Sequence, residues 1–126
     1  MKVLNALIKD ADLRLSNGTF LDLLLELKLE GGGCVCFGGI VLCNKDKGED
    51  DCDCNYAGMY ICKVLDIAGA NSIANLKGKP IRAIMEGQGR LGNRIIGIQH
   101  FLDNKNYFIP NNDNETEEVK QQLLGN

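Results

Sequence analysis

One histidine, His100, and two prolines occur in 126 residues, and no apolar run reaches the length of a signal peptide or a membrane span. A Cys–His or Ser–His catalytic pair would have to draw on His100, and no nucleophile elbow accompanies it. Carboxylates that could work in pairs fall in polar stretches where solvation is their usual fate, so enzyme activity is not expected. Without a leader or a span, the chain is expected in a cytoplasm, with no membrane partner and with its six cysteines reduced. The cysteines also lack the C-x₂₋₄-C spacing that wraps a structural zinc. They run Cys34-x-Cys36, Cys43, Cys52-x-Cys54 and Cys62, and plain thiols with no metal and no cofactor are the expectation. Neither a repeat nor a linker divides the chain. Residues 1–110 read as a single α+β domain and residues 111–126 as an acidic C-terminal tail.

A net charge of −3 makes the chain a poor coat for long nucleic acid. That charge is unevenly spread. Lys45 to Cys54 holds two lysines against Glu49 and four aspartates, whereas Lys77 to Lys105 holds six basic residues against Glu86 and Asp103. Three of the four arginines (Arg82, Arg90 and Arg94) fall in that second stretch, a concentration able to hold a small anion.

Between Phe20 and Leu29 the chain alternates: Leu21, Leu23, Leu25, Leu27 and Leu29 point one way, and Asp22, Glu26 and Lys28 the other, with Leu24 as the exception. A period of two with one apolar face is a strand lying on a core. Gly31-Gly32-Gly33 ends it, and a second strand is expected from Cys34 through Leu42. Residues 4–15 read as an earlier strand, with Leu4, Ala6 and Ile8 on one face and Ala11, Leu13 and Leu15 taking over after a slip at Lys9-Asp10 that suggests a bulge. Ser16-Asn17-Gly18 is a hairpin signal, because Asn-Gly readily takes the positive φ angles of a type I′ turn. From Tyr56 to Ala68 the period changes: Tyr60, Val64, Ile67 and Ala68 form the apolar face of an amphipathic helix, with Asn55 as its expected N-cap and Gly69 as its left-handed end. Lys79–Gly87 and Arg94–Leu102 read as another strand pair, Tyr107–Pro110 as a last extended piece, and Glu115–Leu124 as a weakly anchored helix. The fold class is therefore α+β, an antiparallel β-sheet covered by one main amphipathic helix and a short second helix.

Gly87-Gln88-Gly89-Arg90-Leu91-Gly92 spells the dinucleotide fingerprint G-x-G-x-x-G, but that motif needs a helix after it. The strand-like Arg94-Ile95-Ile96-Gly97-Ile98 follows instead, so a hairpin loop is the better reading, with Arg90 or Arg94 near enough to help it hold a phosphate. His100 reads first as a half-buried histidine satisfied by hydrogen bonds, and next as a ligand contact.

Six segments, in order and spacing, resemble a known family: Gly-Gly-Gly-Cys-x-x-Phe-Gly-Gly-Ile at 31–40, Gly58-Met59-Tyr60, Leu65-x-Ile67-Ala68-Gly69, Asn75-Leu76-Lys77-Gly78-Lys79-Pro80-Ile81-Arg82, Ile96-Gly97-Ile98-Gln99-His100-Phe101 and Tyr107-Phe108-x-Pro110. Together they resemble small phage-encoded anti-defence proteins of the first Thoeris type, which act as sponges for a cyclic ADP-ribose signal in the host cytoplasm. The resemblance implies immune evasion by a viral, nucleotide-binding homodimer or higher homo-oligomer, with the pocket near the protomer boundary. It also implies capture without degradation, and in some members a separate site for cyclic oligonucleotides. A cyclic ADP-ribose isomer or related cyclic nucleotide needs arginine forks for its pyrophosphate, polar groups for its ribose hydroxyls and an aromatic face for adenine. The candidate ligand-binding residues are Arg82, Arg94, His100, Phe101, Tyr107, Gln99, Asn93 and Arg90, with Phe108 a further aromatic and the Asn55 helix start a further anion site. The alternative function is a protein-binding inhibitor of a host defence complex, with the acidic stretches acting as a decoy surface in the manner of an anti-CRISPR protein.

Overall fold

The computed structural model describes residues 1–46, 54–87 and 94–125. Among them is an antiparallel seven-stranded sheet built from β1 (Lys2–Ser16), β2 (Phe20–Leu29), β3 (Cys34–Gly38), β4 (Cys43–Asn44), β5 (Pro80–Glu86), β6 (Arg94–His100) and β7 (Tyr107–Phe108). The strand order is β3-β2-β1-β5-β6-β7, with β4 pairing the far end of β2. Helix α1 (Cys54–Ala68) packs on one face, here the core face, and the short α2 (Glu117–Leu124) on the other. The α+β class and its two covering helices agree with the sequence.

The leucine alternation of β2 sets the core face. Leu23, Leu25 and Leu27 are fully buried, with Leu21 and Leu29 packed at the margins. β1 meets them with Leu4, Ala6 and Ile8, then shifts register between Ile8 and Asp10 and continues with Ala11, so the bulge stands where the sequence slips. Beyond it Leu13 and Leu15 keep the phase but stay 40 % and 49 % exposed, because the pairing of β1 with β5 has already ended at Leu7. The hairpin turn has positive φ at both Asn17 (54°) and Gly18 (71°), with Thr19 N–H bonded to Ser16 C=O at 3.1 Å.

The strand expected to run from Cys34 to Leu42 stops at Gly38. Gly38 and Gly39 both have positive φ (96° and 74°), which turns the chain out of the ladder before it rejoins β2 at Cys43. Val35 and Phe37 face the core, and Cys34 and Cys36 share the outer side as exposed thiols.

Across the sheet α1 buries Tyr60, Val64, Ile67 and Ala68 as its periodicity predicts. Tyr60 stacks on Phe37 at 6.1 Å and meets Phe108 edge-on at 5.1 Å. Asn55 is not the N-cap: the helix is already running at Cys54, because the first apolar residue marks where the buried face begins, not where the backbone starts to coil. Gly69 ends it at φ 66°, with Ala70 N–H bonded to Leu65 C=O and Gly69 N–H to Asp66 C=O, the paired bonds of a Schellman end. A 3₁₀ turn at Ile73–Asn75 then leads to Pro80, the first residue of β5, where a missing N–H does least harm.

On the second face Ile84, Ile96, Ile109 and Leu123 form a smaller cluster with Val3, Tyr107 and Val119. The Thr116 hydroxyl caps α2 by accepting from Val119 N–H at 3.2 Å. Leu123 is the only fully buried residue of this eight-residue helix. Leu123→Ala is expected to cost about 2–4 kcal/mol and to undock α2 while the sheet stays folded. Amide exchange should then accelerate across residues 117–124 and not in β2; equal acceleration in both would refute this local role.

Candidate functional site

The registers of three strand pairs line up one polar row across the second face. Asn5 of β1 stands opposite Arg82 of β5, Arg82 opposite Gln99 of β6, and Gln99 opposite Tyr107 of β7. Ile81, Ala83, Ile98 and Phe108 flank these positions and point into the core, so alternation turns the four row residues to the other side.

The turn between β6 and β7 grips this row. Arg82 Nη1 donates to Asn104 Oδ1 at 2.8 Å, and Gln99 Nε2 donates to the Asn104 carbonyl at 3.0 Å. The Arg82 guanidinium lies over the Phe101 ring, 6.0 Å from its centre. His100 Nδ1 accepts from the backbone N–H groups of Leu102 and Asp103, both at 3.0 Å, which places the imidazole proton on Nε2. The lone histidine thus organises the turn from the opposite side of the strand, in line with its structural reading, and holds Phe101 and Asn104 in place.

Arg82 is half-buried, and among the described residues no carboxylate lies within 4 Å of it. Its fork has one amide oxygen and one aromatic ring for company, and a guanidinium so placed retains donors for an anion. Two clefts open beside it. One of about 260 Å³ is lined by Val3, Asn5, Arg82, Gln99 and Leu123. The other, about 410 Å³, is lined by Asn5, Leu7, Lys28, Leu29, Glu30, Pro80 and Phe101. Asn5 belongs to both.

The predicted ligand residues therefore divide. Arg82, Gln99 and Phe101 come together. Tyr107 joins the row, but its hydroxyl donates to Glu115 Oε1 at 2.9 Å; partial burial and that carboxylate push its pKa up to about 12, which keeps it a neutral donor. Arg94 does not join them. It stands five residues along β6 from Gln99, about 16 Å at strand rise, and is paired with Glu86 at 3.0 Å and with Asn114 at 3.2 Å. Phe108 is core, not a free aromatic face. Arg90, Asn93 and most of the glycine loop lie outside the described residues, but the antiparallel strand that follows the loop excludes the dinucleotide reading. Asn55, inside the first turn of α1, loses its role as a capping anion site.

Sequence reasoning missed Asn5, Asn104 and Leu123. Only the strand registers and the docking of α2 bring them here, and neither has a local signature. Elsewhere a cavity of about 400 Å³ has Phe37, Tyr60, Ile95, Pro110 and Asn114 in its wall, and the buried Tyr60 hydroxyl has no hydrogen-bond partner among the described residues. Burial raises the pKa of that hydroxyl, so it too is neutral. Among the described residues no cation lines that cavity. Among them, too, no three metal-ligating side chains gather, and no helix is long and apolar enough to cross a membrane. No protein-family model and no curated protein matches the chain.

Proposed function

We propose that this chain is a phage anti-defence protein that binds a cyclic ADP-ribose-type nucleotide signal and withholds it, undegraded, from its effector. The observation that carries the reading is Arg82: a half-buried guanidinium, fixed by Asn104 and Phe101, without a carboxylate partner among the described residues. A pyrophosphate supplies the anion such a fork selects. The Asn5 amide suits a ribose hydroxyl, Gln99 (2 % exposed and bonded to the Asn104 carbonyl) backs the row, and the apolar cleft between Leu7, Pro80 and Phe101 suits a base. Small-molecule sites span roughly 300–1,000 Å³. The cleft of about 260 Å³ at Arg82 falls short alone, so a cyclic nucleotide would use both clefts, joined at Asn5. The polar groups facing them are the amides of Asn5 and Gln99, the Arg82 guanidinium, and Lys28 with Glu30 in the larger cleft; none of them forms a nucleophile–base pair, which favours retention over turnover. Assembly as a homodimer or larger homo-oligomer in the host cytoplasm belongs to the same reading.

Incubation of the purified protein with cyclic ADP-ribose isomers, removal of free ligand, heat denaturation and mass spectrometry test it. Intact nucleotide should be released. Release of an altered nucleotide would replace the sponge with an enzyme. Failure to retain any isomer would overturn the proposal and turn attention to inhibition of a host protein.

A further inference from the structure

The second half of β1 has a partner on one side only. β5 pairs with β1 from Lys2 to Leu7, and two further backbone bonds, Ile8 N–H to Lys79 C=O and Gly78 N–H to Ile8 C=O, close that side. From Asp10 to Ser16 the strand continues its ladder with β2, but among the described residues nothing pairs its outer edge. This open edge is also apolar on one face: Leu13 and Leu15 are 40 % and 49 % exposed on the side that leads into the core. Unprotected edges invite strand addition, and proteins commonly blunt them with a lysine, a proline or a bulge. The bulge of β1 lies before this segment, no lysine or proline lies within it, and its charges, Asp10, Asp12 and Arg14, are of both signs rather than uniformly repelling.

We infer that the edge Asp10–Ser16 pairs with the same edge of a second copy of this chain, antiparallel across a two-fold axis at Leu13. The sequence Asp10-Ala11-Asp12-Leu13-Arg14-Leu15-Ser16 is self-complementary in that register and in no neighbouring one. With Leu13 opposite Leu13, each Asp12 faces an Arg14 of the other copy, each Ala11 faces a Leu15, and each Asp10 faces a Ser16. A shift of the pairing by one residue puts Asp12 opposite Leu13 and sends the apolar faces to opposite sides of the joined sheet. A shift by two sets either Asp12 against Asp12 or Arg14 against Arg14, and like charges directly opposite repel. The Arg14 side chain is already held upright in its own strand pair, its Nε 2.9 Å from Oδ1 of the buried Asp22, while 45 % of it stays exposed to meet a partner. Joining the two sheets would also cover Leu13 and Leu15 with their counterparts. This inference gives the assembly proposed above a specific interface, and it does not rest on nucleotide binding.

The test uses opposed charges at the axis. Sedimentation should show the wild-type chain with at least twice its monomer mass, and Leu13→Lys and Leu13→Asp should each halve the mass of that assembly, because each places like charges face to face. An equimolar mixture of the two variants should regain the wild-type mass, since lysine then faces aspartate. Leu13 is partly exposed, so both variants should keep the wild-type circular dichroism. Should either fail to fold, Asp12→Arg, at a side chain 58 % exposed, sets a new guanidinium against Arg14 of the other copy and should weaken association at least tenfold. A monomeric wild type, variants that remain associated, or a mixture that stays dissociated would each overturn the inference.

Discussion

Gly38→Ala should lower the melting temperature by about 10 °C or more, the largest stability loss expected from a methyl group added at any glycine among the described residues. Gly38 has φ 96°, a region that L side chains rarely adopt, and strain of that kind costs about 1–3 kcal/mol. Here the added carbon would also press into the carbonyl oxygen of Leu23 and lie 3.2 Å from the Tyr60 hydroxyl. Leu23 is central to β2, and its carbonyl accepts the bond from Gly39 N–H at 3.0 Å that carries the chain out of β3, so it cannot retreat without breaking that crossing. Overpacking against fixed backbone adds about 1–3 kcal/mol, which brings the total to roughly 3 kcal/mol or above. Gly32→Ala is the control. Its φ is 107°, and nothing lies within 4 Å of the added carbon, so strain acts alone and about half the loss or less should be seen. Thermal and urea unfolding of both variants decides the matter; equal losses would mean that contact with Leu23 contributes nothing.

The same glycine shows where sequence reading stops. Gly38-Gly39 sits inside a run from Cys34 to Leu42 whose pattern is that of one strand, and the letters do not reveal whether two glycines are extended or left-handed. Features set by neighbours in sequence were legible: the leucine face of β2, the Asn17-Gly18 turn, the slip at Lys9-Asp10 and the helical period through Tyr60, Val64 and Ile67. Features set by register were not. Asp22 alternates with leucines and reads as a solvated carboxylate, yet it is 3 % exposed, because the turn brings Arg14 directly opposite it and Ser16 Oγ donates to its other oxygen. The binding row shows the same limit. Arg82 and Arg94 are close in sequence and read as one cationic cluster, but an antiparallel hairpin sends its two ends apart, so Arg82 faces Gln99 while Arg94 faces Glu86. Asn5, far away in sequence, is the nearer neighbour of Arg82.

That separation makes the two arginines unequal, and the proposed function depends on the inequality. Arg82→Glu should reduce retention of a cyclic ADP-ribose isomer by about 100-fold or more, since loss of one partner from a hydrogen-bonded charge pair that the bound ligand would bury costs about 2–5 kcal/mol. Charge reversal further sets a carboxylate against the pyrophosphate. A sponge must bind near nanomolar, about −12 kcal/mol, to deplete a sub-micromolar signal, so a loss of this size ends sequestration. Arg82→Lys keeps the charge but loses both the planar fork toward Asn104 and the stack on Phe101, and an intermediate loss of about tenfold is expected. Arg94→Glu should change retention by no more than about twofold, because that guanidinium is committed to Glu86 and Asn114 at the other end of the strand pair. Stability distinguishes site from scaffold: the Arg82 side chain is only half-buried, so both glutamate variants should melt within a few degrees of wild type. Retention that survives in a folded Arg82→Glu protein would remove Arg82 from the site. Equal loss in Arg82→Glu and Arg94→Glu would instead mean that the ligand spans both ends of β5 and β6, a reach that the two clefts meeting at Asn5 do not provide.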